Sequence, residues 1–296
     1  MRNLAGGRAI IGQALTAVAL VASLAPVQVH GQSTADPIFS ISPGWLRAED
    51  TSSLGLRFEA FYEREDISEG DGLPTWLDAN VSFRGAVAVD PDANPEALDL
   101  SARVGWLKAF YEPGTASGGP DDPPVGGYDY GSIQLSFAGS AAADQRFREA
   151  NAALGLRVGY VAPNADIFLS AGPRVAVSYS GVLPISSEVR EALNASASDS
   201  HGRLDLTGEW HPYIPQTPVR LHASLRYWSA DGLDAAFSEE FGDSGFYQSY
   251  ALAYVPMTWR FYKYRVQELF VRWTDGDLPV APVSTQAWML GVRVGL

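Results

Sequence analysis

The sequence contains no cysteine and very little lysine. Among its 296 residues, Lys108 and Lys263 are the only lysines, and cysteine is absent. The lack of cysteine excludes a disulfide framework, a Cys-ligated zinc or iron–sulfur site and a thiol nucleophile. The formal net charge of −13 argues against a nucleic-acid-binding protein, which needs a basic face. We therefore expect no nucleic-acid partner, no metal site and no other cofactor.

Long apolar runs are also scarce. Charged residues make up only 19% of the chain and hydrophobic residues 46%, a composition that excludes an intrinsically disordered protein. Beyond the first thirty residues, no stretch approaches the 18 apolar residues of a transmembrane helix.

The N-terminal segment has the pattern of an export signal. Two arginines precede the apolar stretch 10–24, and small or β-branched residues stand at positions 29 and 31, where a signal peptidase reads them. The alternative is an uncleaved membrane anchor, but the stretch is short and contains two polar residues. We predict a cleaved signal peptide over residues 1–32 and a folded domain over residues 33–296.

From about residue 36 onward, apolar residues recur with a period of two. In Leu54–Ala60, for example, Arg57 and Glu59 alternate with apolar side chains, as expected for a strand with one apolar and one polar face. The same alternation recurs in 81–89, 98–106, 133–137, 154–160, 167–179, 204–210, 219–227, 248–254 and 288–296. This pattern predicts an all-β, antiparallel fold.

One strand changes its apolar parity midway. Apolar residues occupy even positions in 262–266 and odd positions in 269–273. A β-bulge near Gln267 and Glu268 would keep this segment as one strand, because a bulge inserts one extra residue. The alternative is two short strands.

Strand length and composition favour a barrel in a membrane over a soluble sandwich. The predicted strands are about ten to twelve residues long, which is the length needed to cross a bilayer at a tilt. Their polar faces carry mainly Gly, Ala, Ser and Arg, which suits a crowded lumen. Eleven strands are evident from Leu54 onward, and residues 37–45 supply another. Because bacterial barrels have even strand numbers, we predict a transmembrane β-barrel of about twelve strands, with ten as the alternative.

The tryptophans fall near the ends of the predicted strands. Indole rings suit the headgroup boundary of a bilayer, so this placement predicts an aromatic girdle at each interface. The alternative is that they cap a soluble core. One predicted girdle consists of Trp76, Trp106, Trp210 and Trp259, and the other of Trp45, Trp228, Trp273 and Trp288.

Connection lengths predict an orientation. The long polar segments 140–151, 181–201, 229–245 and 274–285 alternate with short connections such as 212–218, as in barrels with large outer loops and tight periplasmic turns. Within the second, residues 186–193 have the pattern of a short capped helix. The long connections 66–76 and 112–127 fall on the predicted periplasmic side, which leaves the register of residues 37–127 open.

The C-terminal segment has a pattern that is typical of one class of membrane protein. Residues Trp288, Leu290, Val292, Val294 and Leu296 place apolar side chains at alternate positions up to the C-terminus. In this, and in its strand pattern from residue 37 onward, the chain resembles Gram-negative outer-membrane β-barrel proteins with a porin-like architecture. It departs from them in ending on Leu instead of an aromatic residue, and no motif indicates one specific family.

The resemblance implies a location in the bacterial outer membrane. It also implies three partners, namely outer-membrane lipid, lipopolysaccharide and the insertion machinery that reads the C-terminal strand.

Charged side chains concentrate on the predicted inward face. Arginine cannot lose its proton, so an inward excess would leave a positive lumen. One interpretation is a small pore that prefers anions or sugars; the other is a closed structural or surface-binding barrel in which these arginines pair with inward acids. The predicted lumen residues are Arg57, Glu59, Arg84, Arg103, Arg157, Arg174, Arg220, Arg226, Arg272 and Arg293.

Two further classes remain as alternatives. A lipid-modifying hydrolase in the barrel would need a nucleophile and base, for which His211, His222, Ser224 and Glu209 are the nearest candidates, but no G-x-S-x-G motif is present. A soluble, exported lipocalin-like barrel would bind an apolar ligand inside. We predict a non-enzymatic barrel and assign no catalytic residue.

Overall fold

The computed structural model describes most of the chain beyond its N-terminal segment. The described residues are 32–34, 38–48, 51–68, 75–94, 98–112, 128–163, 172–193, 200–256, 260–261, 264–277 and 284–295. The predicted signal peptide lies outside the described residues up to position 31, so its boundary stays a prediction.

Strands dominate the described residues, and twelve of them are long. Two others are short: β1 pairs only with β3, and β12 pairs only with β13. The strands are β1 (Gln32–Thr34), β2 (Ile38–Ala48), β3 (Thr51–Ser68), β4 (Thr75–Ala88), β5 (Leu98–Glu112), β6 (Tyr128–Ala143), β7 (Glu149–Val161), β8 (Arg174–Ser187), β9 (His201–Trp210), β10 (Val219–Asp231), β11 (Ser244–Tyr254), β12 (Arg260–Phe261), β13 (Tyr264–Asp277) and β14 (Ser284–Gly295).

The twelve long strands close into an antiparallel barrel. Each pairs with its sequence neighbours, and β2 closes the ring by pairing with both β3 and β14. Closure gives every wall strand a hydrogen-bonded neighbour on both sides, which removes the open edges of a flat sheet. The predicted all-β barrel of twelve strands is confirmed, and the ten-strand alternative is wrong. The weak segment 37–45 does supply the first wall strand.

The parity change near the C-terminus is a β-bulge within one long strand. The pairing of β13 with β14 shifts register between Val266 and Glu268. The bulge lets Glu268 and Leu269 face the lumen and the outside, respectively, in phase with the neighbouring strands. The alternative of two short strands across this segment is wrong.

Apolar side chains cover the outside of the barrel. Leu54, Leu156, Leu252 and Leu290 all face outward, and Leu290 is 63% exposed. A soluble monomer rarely exposes so continuous an apolar surface, whereas lipid tails are its natural solvent. A lipocalin-like barrel would have the reverse arrangement, with its apolar side chains inside, so that alternative is wrong.

A gap in the wall is closed by loop side chains. Pairing between β4 and β5 ends at Arg84 and Asp99, although β4 continues to Ala88. The Gln145 side chain accepts a hydrogen bond from the Ala88 amide at 2.9 Å and donates one to its carbonyl at 3.0 Å. Asn94 donates to the Ala86 carbonyl at 2.7 Å. These amides satisfy backbone groups that the missing strand partner would leave unpaired.

The two ends of the barrel differ. At the terminal rim, β2 begins and β14 ends; at the opposite loop rim lie two short helices, Glu188–Ala192 and Ala235–Phe241. Ser187 caps the first helix by accepting from the Arg190 amide, as the sequence predicted, whereas the second helix was not predicted. Neither helix has the length or hydropathy to cross a membrane.

The observed strand ends differ from the predicted connections in one place and agree with them in another. The predicted long loop 140–151 is wrong, because β6 and β7 extend into it and leave only residues 144–148 between them. At the terminal rim β3 and β5 end and β4 and β6 begin, which is the side to which the sequence assigned the long connections 66–76 and 112–127. The registers of β2 to β5 therefore follow the rest of the barrel without interruption.

We predict that the loop rim faces the outside of the cell, since outer-membrane barrels place their short turns and termini in the periplasm. An epitope inserted beside Asp234, the N-cap of the second helix, is expected to bind antibody on intact cells. The control is an epitope at Thr217 in the terminal-rim turn, which should bind only after permeabilisation. The opposite staining pattern would contradict this orientation.

Candidate functional site

The inner wall of the barrel is rich in arginine. The ten residues predicted to line the lumen all occupy inward-facing positions, as their cross-strand partners show. Sequence reasoning missed Asp78, Arg203 and Glu268, because β4 and β9 begin earlier than predicted and the bulge conceals the parity of Glu268.

Arginines outnumber carboxylates on this wall. Among side chains that the structure describes, the inward arginines are Arg57, Arg84, Arg103, Arg157, Arg174, Arg203, Arg220, Arg226, Arg272 and Arg293. The inward carboxylates are Glu59, Asp78, Asp99, Glu149, Asp205, Glu209 and Glu268. The described inner wall therefore carries a net positive charge.

Part of this charge is neutralised along the wall. Arg293 joins β14 to β13 through Glu268 at 2.6 Å and to β3 through Glu59 at 3.6 Å. On the same level, Arg84 faces Asp99 at 3.5 Å. Opposite charges in adjacent strands are the favourable cross-strand arrangement, so this row stabilises the wall.

The most buried ion pairs of the inner wall are those of Asp205 and Asp78. Asp205 accepts from Arg203 at 3.0 Å and from Arg226 at 2.6 Å, and it is almost fully buried. Asp78 accepts from Arg103 at 2.7 Å and from the Gln134 amide. Charge-assisted bonds of this kind fix the guanidinium groups in position.

Four inward arginines, Arg157, Arg174, Arg220 and Arg272, have no carboxylate within 4.0 Å among the described residues, and three of them contact a hydroxyl or an aromatic ring instead. Arg157 donates to the Thr207 hydroxyl at 3.3 Å. The Arg220 guanidinium lies 4.2 Å from the centre of the Tyr213 ring, and Arg272 stacks over the ring of Phe270 at 5.2 Å. Because guanidinium stays protonated, these groups keep their positive charge in the lumen. Carboxylates attract them only at longer range, Glu209 for Arg157, Glu268 for Arg220 and Glu59 for Arg272.

Charges also act across the lumen. β4 and β10 are opposite each other in the ring of twelve strands, and Arg84 and Arg226 from these strands repel each other. Arg157 is likewise repelled by Arg103 and Arg226. The two facing walls therefore present like charges to each other across the lumen.

An apolar cluster narrows one sector of the lumen near the loop rim. It consists of Leu46, Ala86, Ala88, Ala287 and Met289, all buried inside the barrel. Leu46 lies across Gly55 of the adjacent strand, where any Cβ atom would clash with it.

The tryptophans occupy two different environments. Trp45, Trp288 and Trp273 are direct partners across three adjacent strands and face outward near the loop rim, continued by Tyr250. Trp106 and Trp210 also lie at outward positions, nearer the terminal rim. The side chain of Trp76, and Trp259 as a whole, lie outside what the structure describes.

Trp228 does not belong to the predicted girdle. It is paired with Asp205 and Gly245 on the inward face, and its indole nitrogen donates to the Asp277 carbonyl at 3.1 Å. The prediction was wrong because proximity to a strand end does not reveal parity, and Tyr227, the next residue, takes the outward position.

The residues considered for hydrolysis point into the lumen. The carboxylate partner of His222 is Glu268, with Nε2 and Oε2 3.2 Å apart, and not Glu209. The rings of His211 and His222 are 4.7 Å apart, and burial together with His222 lowers the pKa of His211 to about 4. No hydrogen bond joins Ser224 to His222 among the described contacts. Lipid lies on the other face of the wall, so this arrangement does not favour a lipid hydrolase.

Together, the closed antiparallel ring, the apolar outer surface and the charged inner surface define a transmembrane β-barrel of the bacterial outer membrane. No protein-family model and no curated protein sequence matches the chain.

Solved structures of outer-membrane barrels are similar to it in outline. For the NanC porin, the TM-score is 0.44 at 8% identity, covering 87% of this chain and 100% of that chain. For the translocator domain of the autotransporter NalP from Neisseria meningitidis, it is 0.35 at 9% identity, covering 98% and 96%. For Pseudomonas aeruginosa OpdQ, it is 0.35 at 10% identity, covering 87% and 97%.

Proposed function

We propose that the barrel is a small, non-enzymatic pore that prefers anionic solutes. The observation that carries this proposal is the set of lumen arginines that contact no carboxylate among the described residues, among them Arg157, Arg220 and Arg272. A guanidinium group placed in a dry, closed interior without a counter-charge is strongly unfavourable. Water and mobile anions in the lumen supply the solvation that these groups require.

The charges on the facing walls give the pore its selectivity. Inward arginines outnumber inward carboxylates by ten to seven among the described side chains, so a permeating ion passes through a lumen of net positive charge. A low-dielectric wall focuses the field of this charge, which raises the local concentration of anions and excludes cations. A closed structural barrel would instead pair its charges, as Asp205 does with two arginines.

The same proposal includes the partners of the barrel in the outer membrane, namely lipid, lipopolysaccharide and the insertion machinery. The outward aromatic row Trp45–Trp288–Trp273 lies where an interfacial girdle would contact lipid headgroups and lipopolysaccharide. The apolar alternation of β14 up to the C-terminus would be read by the outer-membrane insertion machinery.

Ion selectivity of lumen variants tests the proposed function. The double variant Arg157→Gln/Arg272→Gln removes two lumen charges that contact no carboxylate among the described residues. In planar bilayers it is expected to lose most of the preference for chloride over potassium. The control is Arg146→Gln, which removes an exposed charge in the 144–148 turn and should leave the preference nearly unchanged. An unchanged preference in the double variant would refute the role of these arginines.

A further inference from the structure

A roofed cavity lies inside the loop rim, above the arginine-lined lumen. Its volume is about 140 Å³, and the two loop helices contribute to its lining. The residues that matter for its chemistry are Glu149, Asn151, Arg203, Trp228, Phe237 and Ser244.

The roof is held by specific contacts between the two loops. The Arg190 guanidinium lies 4.8 Å from the centre of the Phe237 ring, which joins the first loop helix to the second. The Val189 amide donates to the Glu149 carboxylate at 3.0 Å, which ties the first helix to the start of β7. The cavity is therefore a formed site with walls on several sides.

The indole of Trp228 is fixed against one wall of the cavity. Its nitrogen donates to the Asp277 carbonyl, and its ring lies against Gly245 of β11. A Cβ atom at Gly245 would lie only 2.6 Å from the indole nitrogen, so glycine is what allows the ring to lie there. Unlike the outward tryptophans, this ring does not contribute to anchoring in lipid.

The lining combines a flat apolar ring with closely spaced polar groups. Asn151 and Ser244 can both donate and accept hydrogen bonds, Glu149 accepts and Arg203 donates. A purely apolar ligand would make no use of the Asn151 and Ser244 side chains, and a simple inorganic anion would make no use of the indole. A ligand with one apolar face and a rim of hydroxyl groups satisfies both parts of the lining.

We propose that this cavity is a binding site for a pyranose ring of a saccharide, with Trp228 as its stacking platform. The C–H face of the sugar lies on the indole, and its hydroxyls bond to Asn151, Ser244 and Glu149. The site takes the sugar before it enters the pore, but its binding does not require the lumen to conduct.

Isothermal titration calorimetry on the detergent-solubilised full chain tests the proposal. The probes are maltotriose, chitotriose and a uronic-acid trisaccharide, and at least one is expected to bind. Trp228→Leu is expected to weaken that binding by about tenfold or more. The matched control is Trp288→Leu, an outward indole near the same rim, which should leave the affinity unchanged.

A second variant keeps the test independent of folding defects at Trp228. Gly245→Ala retains the indole but displaces it, and should weaken sugar binding while the barrel retains its β-sheet circular dichroism. Binding of none of the three sugars, or equal affinity in Trp228→Leu and wild type, overturns the proposal. If the barrel binds a sugar but conducts no current, the proposed pore function is refuted and the proposed saccharide site is retained.

Discussion

Leu156→Arg is expected to lower the free energy of unfolding by about 2–4 kcal/mol, the cost of a charge on the lipid face near the bilayer midplane. Leu156 lies in the middle of β7, is 49% exposed and has Phe137 and Tyr179 as its outward cross-strand partners. An arginine side chain at this position cannot turn into the lumen, because side chains on one strand alternate strictly between the two faces of the wall. Reversible urea unfolding in lipid vesicles measures the difference.

The control places the same side chain on the other face of the wall. Ser178 lies on the inward face of β8, next to Arg157 and Asp205. Ser178→Arg is expected to cost only about 0–1 kcal/mol, the usual range for a charge that water can solvate. Equal costs for the two variants, or a larger cost for Ser178→Arg, would show that the inner and outer faces are wrongly assigned.

Asp205→Asn is expected to lower the free energy of unfolding by about 3–5 kcal/mol, as when one partner of a buried ion pair is removed. Asp205 is 3% exposed and neutralises both Arg203 and Arg226. Asparagine keeps the size and the hydrogen-bonding oxygen but not the charge, so two guanidinium groups lose their shared counter-charge. The same urea unfolding experiment applies.

Asp99→Asn is the matched control. Its partner Arg84 is 3.5 Å away and 48% exposed, so the lost attraction is worth about 0.2–1 kcal/mol. Similar losses in the two variants would mean that water screens Asp205 as well as it screens Asp99. The structural role of the Asp205 pair would then be wrong.

The barrel could be predicted from sequence because its signal is strictly local. Apolar residues that recur at every second position over ten or more residues indicate a strand with one apolar face. The bulge at Glu268 is visible as a change from even to odd apolar positions within one segment. The even strand number then follows from having both termini at the same rim. Even the weak segment before Trp45 becomes a wall strand, because the ring needs a partner for both β3 and β14.

The site was only partly predictable, because pairing depends on register between distant strands. Parity placed Arg157 and Arg226 in the lumen, but nothing local indicates that Arg226 has a carboxylate partner while Arg157 has none. By register Thr207 lies opposite Arg226, but the Arg226 side chain reaches diagonally to Asp205, and the Arg157 side chain reaches to Thr207. Trp228 shows a second limit, since its position near a strand end suggested a girdle until the register placed it inside.

The reversal potential of the wild-type barrel in a planar bilayer with asymmetric KCl tests the central claim most directly. The lumen charges of Arg157, Arg220 and Arg272, none of which contacts a carboxylate among the described residues, predict a discrete channel whose reversal potential is shifted toward that of chloride. A reversal potential shifted toward that of potassium, or the absence of any channel in a correctly folded barrel, would contradict it.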